Sequence, residues 1–575
     1  MPSTKLPFIA TRTARTTLLA CAIGLGAACG GGGSSSGPAP APVPAPAPSP
    51  GPSPAPLPPP SADEASRFLM QSTFGPSETE IARVQSLGFS GWIDEQFSFV
   101  PSKHLPYVQA NYSLLLFGGN FAFMQDSFWQ QAIPAPDQLR QRVKFALSQI
   151  VVVSAESGTI ATASDGLANY IDLLGEHAFG NYRTLLEAVA TSPMMGIYLS
   201  HLRNQKADPV TGRVPDENFA REVMQLFSIG LTEINLDGTP KLVNGQPVET
   251  YTNADITGLA RVFTGWSWAA QDTSNASFNG GGTAYTDRIL RPMQPYPQFH
   301  ETGIKTFLNV TIPANTSAQA SLTIALDTLF NHPNLCPFIG RQLIQRLVTS
   351  NPSSAYTARV SAACANNGAG VRGDMKAIVR AILLDAEARS SAGLADPQFG
   401  KLREPVLRLS QWARCFGATS ASGNWQIRNL DSAATSLGQQ PLRAPSVFNF
   451  YRPGYVPAST AIAAAGLVAP EFQITGETSV AGYTNFMQAA ISSGVGVGRE
   501  VRAAYTNELA VADDADALID RVNRCLMAGT MGTQQRQEIR DAVNAIAVTA
   551  PNGRANRVYT AVLLTMASPE YLVQK

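Results

Sequence analysis

The chain has 575 residues, with Lys+Arg and Asp+Glu equal at 42 each and only 15% of residues charged. That balance excludes the basic footprint of a nucleic-acid binder and any strongly charged interaction tail. Beyond the N-terminus no run of about 18 apolar residues occurs, which excludes a membrane-spanning helix there.

Lys5, Arg12 and Arg15 precede an apolar run from Thr16 to Ala28. A charged start followed by a run shorter than the roughly 20 residues a span needs predicts an export signal. Small residues before Cys29 match a lipoprotein cleavage site, so 1–28 are expected to be removed and Cys29 acylated. Gly26 stands where such sites usually carry Leu. Leu18-Leu19-Ala20-Cys21 matches better but leaves almost no apolar run before it, and plain cleavage with release is the alternative. Residues 29–61, Gly/Ser-rich and then alternating Pro and Ala, cannot bury a core and predict an extended tether.

Residues 62–575 read as mainly α: a large multi-helix body with a small β-hairpin insertion and long irregular loops. Any division into two subdomains is expected near 390–400. Ser77-Glu78-Thr79-Glu80 is a capping box for a helix through Leu87 that Gly88 stops. Leu139, Val143, Ala146, Leu147 and Ile150 recur at helical spacing, with Arg140, Arg142 and Lys144 elsewhere on the turn. Further helices are predicted at 167–176, 181–190, 216–229, 253–264, 318–330, 336–349, 354–365, 373–384 and 401–415. The C-terminal set is 482–491, 498–507, 513–528, 532–547 and 553–566. Asp237-Gly238 and Asn244-Gly245 are hairpin turns between two of these helices. Residues 271–312 and 440–480 lack helical pattern and read as long irregular excursions, where function often resides.

Four cysteines lie in the body: Cys336, Cys364, Cys415 and Cys525. Their spacing matches no zinc pattern, and an even set in an exported chain favours two disulfides over buried thiols. Three pairings are open, with Cys336–Cys364 first because it is nearest in sequence.

The segment from Pro215 to Gly230 predicts an Asp-capped helix of about three and a half turns that places Glu217, Arg221 and Glu222 beside an apolar face. Glu217 suits the first turn of a helix, and Asp255 is explained by the capping box it forms with Thr252. Glu222 lies mid-helix beside the apolar stripe, where a buried carboxylate needs a cation, a metal or a raised pKa. His300, with Glu301, Gly303 and Lys305 after it, puts an imidazole, a carboxylate and an ammonium on one loop, suited to acid–base work or to a metal or anionic ligand. Glu222, His300, Lys305 and Arg221 are therefore the candidate catalytic residues. Glu217, Glu222 and His300 are the ligands a divalent metal would take. Trp266 and Trp268 offer a stacking platform for a sugar or, more simply, core packing. No nucleophile elbow, phosphate-binding glycine loop or zinc-type His or Cys cluster is present.

At these residues the chain resembles a bacterial family catalogued as domain of unknown function 1800. The resemblance is carried by Ala65-Ser66-Arg67-Phe68-Leu69 with Thr73-Phe74-Gly75, Gln138-Leu139-Arg140-Gln141-Arg142-Val143 and Glu217-Asn218-Phe219-Ala220-Arg221-Glu222. Ala260-Arg261 with Thr264-Gly265-Trp266, His300 with Gly303 and Lys305, His332-Pro333, Arg403-Glu404-Pro405 and Pro445-Ser446-Val447-Phe448 extend it over roughly 62–575. Gln225 departs from it where Glu is usual, and Asp216 where Asn is common. The resemblance implies export, a helical body and partnership with a sulfatase-like family catalogued as domain of unknown function 1501; it names no reaction. Two functions follow as expectations: a cell-envelope enzyme acting on an extracellular polymer or glycan, or a non-catalytic surface protein that binds or assembles with a partner.

Overall fold

The computed structural model describes residues 58–111 and 121–575. The expected signal, the lipidation site Cys29 and nearly all of the tether lie outside them. Residues 58–575 form one compact unit. Helices dominate it, and its strands pair only two at a time, so the body is mainly α with small hairpins.

Local chemistry sets many of the helix ends. Ser61 and Glu64 form a capping box at the Ala62–Ser72 helix, which the sequence pattern did not single out. Ser77 caps the next helix as expected, and Gly88, at φ +68°, breaks it. The chain then re-enters a helix at once and continues to Ser98, because a left-handed glycine turns the axis without ending the run.

The helix expected over 216–229 is shorter, Asn218–Gln225, with Glu217 at its N-cap. Asp216 Oδ1 still accepts from the Asn218 N–H at 2.9 Å. The N–H groups of both Ile229 and Gly230 reach back to Met224 O, which ends the helix in a wider turn. Gly230 is required there: its φ is +74°, and a Cβ would sit 2.7 Å from the Phe338 ring. The helix expected at 498–507 does not form. Gly494, Gly496 and Gly498 all take positive φ, and Val501–Arg502 pairs instead with Thr419–Ser420. The insertion is a hairpin as predicted, Leu242 opposite Pro247 and Val243 opposite Gln246, with Asn244 and Gly245 at φ +52° and +78° in the turn.

Two apolar cores fill the unit. One draws its side chains from Ala65 to Phe399, with Leu442; the other runs from Val406 to Tyr571 but includes Phe74, Phe128, Trp129 and Phe145. Those aromatic side chains, from the N-terminal part of the chain, tie the two cores into one body. Each core has its own disulfide. Cys336–Cys364 joins neighbouring helices of the first, and Cys415–Cys525 joins Pro405–Cys415 to Ala515–Met527 in the second.

Candidate functional site

The helix Asn253–Ala260 is the axis of the predicted site, packed against both the Asn218–Gln225 helix and the Lys305–Phe307 strand. Its start is held as expected: Asp255 Oδ2 accepts from Thr252 N–H and Oγ1–H, both at 2.7 Å. Asp255 Oδ1 also accepts from Leu308 N–H at 2.7 Å, fixing the turn of the following hairpin. The approach to that hairpin is very close, since a Cβ on Gly258 would lie 1.7 Å from Thr306 O.

On one side, Glu217 Oε1 accepts from Thr257 Oγ1–H at 2.7 Å and its other oxygen lies 3.8 Å from Arg221. Glu217 is a clamp between two helices. Arg221 stands half-exposed beside it. Glu222 is buried and its Oε2 has no hydrogen-bond partner. Burial raises its carboxyl above the usual range, against a smaller opposing effect of Arg221. Tyr251, whose phenol is pushed up to about 12 by burial and by the Glu222 carboxylate, faces it.

On the other side, His300 is buried. Its Nδ1–H donates to Thr264 O at 2.8 Å, which leaves Nε2 as the lone-pair nitrogen, 3.4 Å from Ser321 Oγ. Burial lowers its pKa and favours the neutral ring. Thr264 Oγ1 in turn accepts from Glu301 N–H at 2.9 Å. Gly265, at φ +77°, permits this contact, because a Cβ there would meet His300 N at 2.7 Å. Thr264-Gly265 and His300 are therefore one structural staple. Lys305 has no exposed surface and its Nζ has no hydrogen-bond partner; desolvation lowers its pKa, with Glu301 opposing.

The structure brings His300, Glu301 and Lys305 together and holds Glu217, Arg221 and Glu222 as a separate group. Among the described residues no hydrogen bond or ion pair joins the two groups, and no three His, Cys, Asp or Glu side chains are gathered to hold a metal ion. Glu217, Glu222 and His300 form no such group among the described residues. Trp266 is core rather than platform, being buried among apolar side chains. Trp268 is half-buried with the Arg288 guanidinium 5.2 Å from its ring centre.

Two buried polar groups escaped the sequence reading. Lys144 Nζ lies 2.9 Å from His104 Nε2 and donates to Gln131 Oε1 at 2.6 Å. Both residues line a cavity of about 10 Å³, room for a single water and no substrate. Burial pulls Lys144 down to about 8. The second group lies between the cores. Lys401 Nζ is 3.0 Å from Glu471 Oε1 and donates to Arg346 O at 3.0 Å. Glu404 Oε2 accepts from Gln149 and Gln439 at 2.7 and 2.8 Å, and Arg346 Nη2–H donates to Gln149 O at 3.0 Å. The only available signal was Arg140, Arg142 and Lys144 on one helix. They lie off the apolar stripe of that helix, yet the helix is enclosed on all sides and the three charges are buried.

Among these residues are the motifs listed from the sequence: Arg142 and Glu404 in the inter-core network, Thr264-Gly265 with His300 in the staple, Glu217 and Glu222 on the short helix. No curated protein and no solved structure matches the chain. A family model described as protein of unknown function (DUF1800) matches residues 67–573, nearly the whole body, and the chain belongs to that family.

Proposed function

We propose that the chain is an exported cell-envelope protein, lipid-anchored through Cys29 at the outer membrane or in the periplasm, that acts by docking a partner rather than by catalysis. The N-terminal signal pattern and two disulfides support an oxidising, extracytoplasmic compartment. The observation that carries the docking reading is where large apolar side chains are exposed. Val210, Val214, Leu231, Leu236, Leu242, Val243 and Ile304 all stand on the loops and hairpin flanking the Asn218–Gln225 and Asn253–Ala260 helices. Lys206 N–H donates to Phe299 O at 2.9 Å, and Arg261, at the end of the Asn253–Ala260 helix, donates to Ile304 O at 3.3 Å. Other exposed apolar side chains, among them Val100, Val371 and Val456, are scattered along the chain, whereas six fall between Val210 and Val243, and Leu242 and Val243 are adjacent on one exposed hairpin strand, which suits a protein contact. Glu217 and His300 are held in structural hydrogen bonds, which suits a rigid support.

The partner proposed is the sulfatase-like protein that the family resemblance implies. Co-expression and co-purification test this: the double variant Leu242→Ser, Val243→Ser should lose partner recovery while its melting temperature stays within about 2 °C of the parent, as surface changes generally do. Undiminished recovery, or no complex with the parent chain, defeats the reading.

A further inference from the structure

A pocket of about 390 Å³ opens where the first helix of the body meets the C-terminal segment, away from the staple and its loops. Its size falls in the range of small-molecule sites, roughly 300–1,000 Å³. Three cations line it, Arg67, Arg403 and Lys575, and none of them forms an ion pair among the described residues. Arg67 is 5% exposed. Its Nη1 donates to Ser390 O at 2.8 Å and Arg389 O at 3.2 Å, while its Nε and Nη2 are buried with no partner. Glu64, the only carboxylate acting on Arg67, is turned to the helix cap, accepting from Ser61 N–H at 2.8 Å.

Arg403 is also buried. It donates to Tyr571 O, places its other terminal nitrogen 3.7 Å from Met70 Sδ, and stacks 4.4 Å from the Tyr571 ring centre. Lys575 Nζ donates to two carbonyls, Leu394 O and Asp396 O, at 3.0 and 2.9 Å. Glu570, the acidic side chain of the lining, is exposed. The rest of the wall is largely apolar, with Met70, Leu526 and Val573 among its side chains. A buried guanidinium with two free N–H groups and no counter-charge is unfavourable until an acceptor fills it, and guanidinium geometry suits an oxyanion held by two parallel bonds.

We propose that this pocket binds the anionic head of a small amphiphilic molecule, a carboxylate or a sulfate or phosphate ester carried on an apolar body, with Arg67 as the principal anchor. The head lies against Arg67, whose Nε and Nη2 are buried behind the pocket wall without partners, with Arg403 adding positive potential, and the apolar body lies against the Met70 and Leu526 wall.

The test is calorimetric titration of the full-length chain with hexyl sulfate, 1-hexanol and inorganic sulfate. Hexyl sulfate should bind saturably at one site. Hexanol should give no saturable signal, and inorganic sulfate should bind more weakly for want of the apolar contact. Arg67→Met should weaken hexyl sulfate by about tenfold or more, the scale of losing a charged hydrogen bond. Because Arg67 also holds two carbonyls, its variant is paired with Thr530→Glu, which places a carboxylate at the rim and leaves those bonds intact. Thr530→Glu should weaken binding comparably. The proposal is overturned if the parent shows no saturable binding, if hexanol binds as well as hexyl sulfate, or if the folded variants bind as tightly as the parent. None of these results bears on partner docking, which is read by co-purification.

Discussion

At the scale of single residues, His300 and Glu217 are held in place by structural hydrogen bonds. His300 donates to Thr264 O and sits against the backbone of Gly265, so its imidazole fastens the excursion loop to the end of the Asn253–Ala260 helix. His300→Ala should lower stability by about 1–3 kcal/mol, the price of an orphaned carbonyl, measured by urea denaturation. Gly265→Ala should cost at least as much, because it combines a positive φ with a 2.7 Å clash. If either variant matches the parent, the staple is not what holds the loop. Lys144 carries a prediction about pH. Its folded pKa is about 8 against an ordinary 10.5, so between those values the unfolded chain binds the extra proton and the folded one does not. Stability from this group therefore rises with pH across that window and is lost as pH falls through about 8. The change is on the order of 3 kcal/mol by linkage. Denaturation midpoints from pH 7 to 10.5 should climb in the parent, and Lys144→Met should flatten that part of the slope.

At the scale of elements, the two disulfides differ in what they restrain. Cys336–Cys364 closes a separation of 28 residues, and Cys415–Cys525 one of 110. Loop-closure entropy makes the longer link worth about 1 kcal/mol more, out of roughly 3–5 kcal/mol each. The Cys415→Ser, Cys525→Ser pair should therefore lower the denaturation free energy more than the Cys336→Ser, Cys364→Ser pair. The reverse order would mean that residual structure or strain outweighs chain entropy. Elements are also where expectation and structure part most clearly. The capping boxes and hairpin dipeptides placed Thr252, Ser77 and Asn244-Gly245 correctly, because caps and turns act over three or four residues. The 498–507 segment failed because its glycines serve a turn, and a strand partner at Thr419–Ser420 lies about eighty residues away in the chain.

At the scale of the molecule, two cores with separate disulfides behave as one unit because charged and aromatic side chains cross between them. Glu404 is the clearest case, fully buried and hydrogen-bonded by Gln149 and Gln439. Glu404→Leu leaves the Gln149 and Gln439 amides without their acceptor and removes a charge 4.0 Å from Lys401, and should destabilise by about 3–5 kcal/mol, the scale of breaking a buried charge network. Calorimetry should show both cores shifting together in the variant. A second, unshifted transition would mean that the cores unfold independently.

The amino-acid sequence by itself left three disulfide pairings open but determined the helical class, the hairpin, the caps and membership in a family that spans the body. Those depend on short-range periodicity, turn chemistry and the order of motifs along the chain. Only the tertiary structure decided which polar residues meet. It gave Glu222 and His300 different partners, turned Trp266 into core, buried Lys144 against His104, and left Arg67 without an ion pair beside a pocket. The physical reason is that burial and counter-charge are properties of enclosure. A charge off the apolar stripe of its helix becomes an internal one when helices close over it from the other end of the chain.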